Sequence, residues 1–79
     1  MKYELFEEIV LSRDIPEKNL IKGDVATVVE YYPAPVCEDG YSLEVFNALG
    51  DTIAVITVSE SAIQSFSENE VLSVRLLAA

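Results

Sequence analysis

Three tyrosines and two prolines form the densest group of recognition-type side chains in this chain. Tyr31 and Tyr32 run into Pro33 and Pro35, and Tyr41 follows the polar loop Glu38-Asp39-Gly40. Tyrosine anchors protein interfaces because it covers a large apolar area while keeping a polar tip. It is equally an ordinary strand residue, and one of each adjacent pair points inward. Tyr31, Tyr32, Pro33, Pro35 and Tyr41 are therefore the candidate protein interface. Binding of proline-rich peptides needs an aromatic-lined groove. With no tryptophan and no ALYDY-like segment, that use is unsupported.

The remaining candidates for chemistry each have a simpler structural reading. Asp14, Glu30 and Glu44 are carboxylates that acid–base catalysis could use, but the chain has no histidine and shows no activated nucleophile. No catalytic residue is assigned, and the chain is expected not to be an enzyme. Glu7, Glu8, Asp14 and Glu17 lack the ligand spacing a calcium loop requires, so they read as a solvated acidic face and no metal site is expected. Gly23-Asp24 lacks the lysine and hydroxyl of a phosphate loop and reads as a turn. Cys37 is the single cysteine. Nearby carboxylates oppose thiolate formation, so it is expected to be unreactive. It excludes an internal disulfide framework. No cofactor is implied.

Charge narrows the partners. Fourteen acids against five bases leave a net charge of −9. The cations Lys2, Arg13, Lys18, Lys22 and Arg75 are scattered, whereas nucleic-acid affinity rests on clustered lysine and arginine. Nucleic acid and anionic membrane surfaces are therefore not expected as partners. A basic protein suits the field, and acidity is also a common route to solubility. The N-terminus lacks the charged lead and long apolar run of a signal peptide, so a cytoplasmic location is expected.

The elements that must position these residues are short. The 79 residues allow one domain, taken as 1–79. Its core is small enough that a partner or a second copy, as a homodimer, would help to cover it. Runs of β-branched residues predict strands at Glu8 to Arg13, Val25 to Tyr32, Tyr41 to Phe46, Asp51 to Val58 and Val71 to Leu77, cut by proline and glycine turns. The fourth run is apolar on both faces, so it is expected to be central and buried on both sides. In the last run Leu72, Val74 and Leu76 alternate with Ser73 and Arg75, which suits a strand with one face in the core. Ser61-Ala62-Ile63-Gln64 has capping-box spacing, so a single helical turn is expected near Ser59 to Phe66. The expected fold is all-β: a small five-stranded SH3-like barrel with a short helical turn before the last strand.

Several motifs carry a family resemblance. Ile9-Val10-Leu11, Asp14-Ile15-Pro16-Glu17 with Leu20, and Gly23-Asp24-Val25-Ala26-Thr27-Val28-Val29-Glu30 follow a V-x-L, D-I-P-E-x-x-L, G-D-x-G-T-V-V-E pattern. Leu43-Glu44-Val45, Gly50 to Ala54 and Glu70 to Arg75 continue it. The chain thereby resembles a bacterial family of small proteins known only as a domain of unknown function. Ala26 stands where the pattern has glycine. The resemblance implies an SH3-like barrel in the bacterial cytoplasm and supplies no activity to transfer.

Two functions from different classes follow as expectations. The first is a non-enzymatic protein-interaction or accessory module. The second is an inhibitor or immunity-type protein that neutralises a basic partner, since opposite fields steer such encounters. A nucleic-acid-binding barrel is the weakest, because five scattered cations would have to be assembled by the fold.

Overall fold

Runs of β-branched residues become strands only where a neighbour takes their backbone hydrogen bonds. A computed structural model describes residues 1–77 of the chain. It contains β1 (Glu8–Leu11), β2 (Val25–Tyr32), β3 (Gly40–Phe46), β4 (Thr52–Ser59) and β5 (Ile63–Gln64). They form one antiparallel sheet in the order β4-β3-β2-β1-β5. The only helical elements described are two 3-10 turns, Pro16–Lys18 and Glu60–Ala62.

Bulges let a single sheet wrap around a core. The β2–β3 register shifts between Val28 and Glu30, and the β3–β4 register between Val45 and Phe46. Each extra residue adds twist and bend, and the sheet curls into an all-β half-barrel. Leu43 and Val28 are cross-strand partners on the inner face, as are Leu43 and Ile56. All three are buried, together with Ile9, Leu11 and Tyr41.

The loops and the N-terminus fill the open end. Ile15 and Leu20 bridge each other across the Pro16–Lys18 turn and enter the core. Asp14 fastens this loop by accepting the Lys22 N–H at 2.8 Å, and Asp24 accepts the Ile21 N–H at 2.9 Å. Tyr3 is also buried, and its hydroxyl donates to the Ile63 carbonyl at 3.2 Å. The β3–β4 hairpin is closed by Asn47, whose Oδ1 accepts from Leu49 and Asp51, with Gly50 at φ 92° supplying the left-handed residue.

Three expectations are corrected. β4 is an edge strand rather than a central one, and the strand buried along both faces is β1, through Ile9, Val10 and Leu11. An apolar run on both faces records composition, whereas centrality depends on which strands flank it. The helical turn is shorter than expected, because Ile63 is drawn out of it to pair with Leu11. The last strand is consequently Ile63–Gln64, and the run Val71 to Leu77 pairs with no strand. Its alternation has no neighbouring edge to lie on, and it is fastened instead by Arg75, which bonds Asp24 and the Asn19 carbonyl.

Candidate functional site

The candidate tyrosines separate at β2 and β3, because the pleat sends alternate residues to opposite faces. Tyr31 and Tyr41 are directly paired across the strands and both face the core. Tyr41 is fully enclosed. Its ring stands edge-on to Tyr3 at 5.5 Å and tilted against Tyr31 at 5.3 Å, and its hydroxyl accepts the Lys2 and Tyr3 N–H groups. Tyr41 is therefore a core residue that presents nothing to a partner. Tyr31 is half-buried, and its hydroxyl donates to Asp39 at 2.6 Å.

Tyr32, Pro33 and Pro35 remain on the surface. Asp39 organises the loop that carries the prolines: one carboxylate oxygen takes the Tyr31 hydroxyl and the other the Ala34 N–H at 3.0 Å. Its own carbonyl accepts from Glu60. The hydrogen bond from Tyr31 holds the Asp39 carboxyl below the usual carboxylate range, with the Ala34 N–H acting the same way. Reciprocally, the Asp39 bond pushes the Tyr31 phenol up to about 12. Glu38 sits on the same loop and is held low by the Ser61 N–H and then by the Ser61 hydroxyl. Two adjacent acids thus set the loop shape rather than offering free carboxylates.

Tyr32 belongs to a larger surface, the outer face of β2, β3 and β4. The Ser42 hydroxyl donates to the Tyr32 hydroxyl at 3.0 Å and lies 3.0 Å from Thr57 Oγ1. Glu44 lies opposite Thr27 on one side and Val55 on the other, and accepts the Thr52 hydroxyl at 3.2 Å. Phe46 faces Thr52. Large apolar side chains remain exposed along this face, among them Tyr32 at 42%, Phe46 at 42% and Val55 at 55%. The only charged residues in the three strands are Glu30 and Glu44. Of the cations, none lies in these strands. Val55 had no place among the sequence candidates because β4 was expected to be buried on both sides, and Phe46 had none because it stands at the very end of the third run. The available signal was the charge-free run Thr52 to Ser59 beside a strand bearing Glu44.

Two grooves flank the domain. One of about 480 Å³ lies between β4 residues Val55–Ser59 and the loop carrying Arg13, Asp14, Glu17 and Lys18. The other, about 550 Å³, lies between the β3–β4 hairpin and the C-terminal run, with Leu20, Leu49, Ile53 and Leu76 among its walls. In the first, Asp14 already accepts the Lys22 N–H. Among the described residues no three His, Cys, Asp or Glu side chains gather into a metal-binding group. Cys37 is a free, exposed thiol on the Tyr/Pro loop. No described helix is long and apolar enough to cross a membrane.

No curated protein and no solved structure matches the chain. The family model described as a domain of unknown function, DUF4926, matches residues 5–65, spanning all five strands and stopping short of the run Val71 to Leu77. The chain belongs to the DUF4926 family.

Proposed function

We propose that this domain is a small non-enzymatic docking module of the bacterial cytoplasm, whose contact surface is the outer face of β2–β3–β4 continued into Tyr32, Pro33 and Pro35. One observation carries the reading: Tyr32, Phe46 and Val55 stand exposed on a face whose strands bear only negative charge. Large apolar residues on one face form a contact surface when a polar rim surrounds them. The polar groups around them are Glu30, Glu44 and the hydroxyls of Thr52 and Thr57. The matching partner is a protein with an apolar centre and a basic surround. The Asp39 clamp supports the reading, since a loop ordered before binding loses less freedom on contact.

Glu30 and Glu44 also favour the second reading, an inhibitor or immunity-type protein that neutralises a basic target. Carboxylates on a cation-free face, within a chain of net charge −9, steer a basic protein toward that face. The same face repels phosphate, which sets it against nucleic acid.

The test is co-purification of the full chain from native extract at low salt, beside a variant carrying Val55→Lys and Glu44→Lys. Both positions are on the outer face, so circular dichroism is expected to stay unchanged. A protein retained by the native chain and lost from the variant supports the reading. A partner held equally by both, or none at all, overturns it. Association that slows steeply with added salt selects the inhibitor reading, and association indifferent to salt selects the docking module.

A further inference from the structure

Two parts of this chain have strand character and, among the described residues, an open side with no strand along it. β4 pairs with β3 along one side, and no described residue pairs with the other. Natural edge strands are protected by charge, proline or shortness. β4 is eight residues long and reads TIAVITVS, with neither charge nor proline, and its bulge lies only at the Thr52 end. The second part is the run Val71 to Leu77. It has strand periodicity, yet Val71 is 89% exposed, Val74 90% and Leu76 93%. Among the described residues neither part has a strand along its free side.

We infer that two copies of this protein associate by exchanging C-terminal segments, Val71 to Leu77 of each adding as a strand to the free edge of β4 in the other. The patterns match face for face. Leu72, Val74 and Leu76 extend the inner surface of Ala54, Ile56 and Val58, which packs on the core. Ser73 and Arg75 then emerge on the outer surface, beside Val55 and its cross-strand neighbour Glu44. The segment thus brings a cation to an acidic face. Seven residues meet an edge of eight.

Electrostatics selects this route for a second copy. Molecules of net charge −9 repel, and they approach most easily where no carboxylate opposes another. The run Val71 to Leu77 carries one charge, Arg75, and β4 carries none. The groove between β4 and Arg13–Lys18 leaves the strand edge open to an extended segment. The tether that exchange must break is the Arg75 side chain, which pairs with Asp24 and donates to the Asn19 carbonyl, and such surface contacts are weak restraints. Because each copy offers both the segment and the edge, the exchange is reciprocal and closes as a two-fold dimer.

The test is sedimentation equilibrium of the full chain over a concentration series. It reads self-association alone, so its failure leaves the docking face untouched. A monomer–dimer equilibrium is expected, with β4 amides slowing in hydrogen exchange as dimer accumulates. L72D/V74D alters two exposed side chains and is expected to be monomeric throughout, with unchanged circular dichroism. Ser73→Pro keeps the hydropathy but removes a ladder donor, and is expected to weaken association roughly tenfold. A native chain that stays monomeric overturns the inference, whether or not β4 is protected. So does a dimer of undiminished affinity in L72D/V74D, which would use another surface.

Discussion

β3 and the run Val71 to Leu77 are equal in length and alike in pattern, yet they have opposite fates. In β3 the alternate residues Tyr41, Leu43 and Val45 are all buried, because β2 and β4 flank the strand and the curl of the sheet closes over its inner face. In the C-terminal run Leu72, Val74 and Leu76 alternate as cleanly and face water. The difference teaches that a period of two specifies which residues share a face, while burial requires that the run join the sheet and that the core close over that face. A strand is a relation between segments, and one segment holds only half of it.

The largest effect that tests this contrast is a matched pair of truncations. Leu43→Ala removes a fully buried side chain and is expected to cost about 2–5 kcal/mol. Leu76→Ala, measured at concentrations where the chain is monomeric, is expected to change stability by less than about 0.5 kcal/mol. Urea unfolding of both reads the difference directly, and equal costs would place the C-terminal run in the core. Next comes Tyr41→Phe, which keeps the ring packing but takes the acceptor from the Lys2 and Tyr3 N–H groups. Its expected cost is about 1–2 kcal/mol. A neutral outcome would detach the N-terminal segment from β3.

The Asp39 clamp gives a pH signature from the loop between the buried strands. Glu38 is held low by Ser61 and Asp39 by Tyr31, so both bind protons less readily folded than unfolded. Their contribution is complete above the ordinary carboxylate range and is lost as pH falls through the lower folded values. Thermal melts are expected to decline on that acid side. Tyr31 runs the other way. Its folded value of about 12 lies above its ordinary 10.0, so its contribution holds below that ordinary value and fades as pH rises toward 12. In Asp39→Asn, ultraviolet titration is expected to show the high-titrating tyrosinate moving back toward its ordinary value. The smallest effect is Arg75→Ala, which removes a part-exposed ion pair and is expected to cost about 0–1 kcal/mol. A larger loss would show that the C-terminal run is packed after all.

Much of the architecture was legible along the chain. Gly23-Asp24, Pro33 to Gly40 and Asn47 to Gly50 punctuate the strands, and β2 and β3 lie almost where their β-branched runs predict. The candidate interface was legible only in part. Tyr31 and Tyr32 are adjacent and indistinguishable by type. Register with Tyr41 turned one into the core and left the other outside. Tyr3 gave no local signal at all, because its burial depends on Ile63, distant in the chain.

Composition and turn chemistry alone settled that this is an acidic all-β chain with its strands cut at set places, because glycine, proline and β-branched residues act on their own backbone. Tertiary structure decided which strand lies at the edge, which tyrosine is enclosed and which alternating run goes unpaired. Those outcomes depend on the pairing of segments far apart in the chain, and local preference carries no record of a distant neighbour.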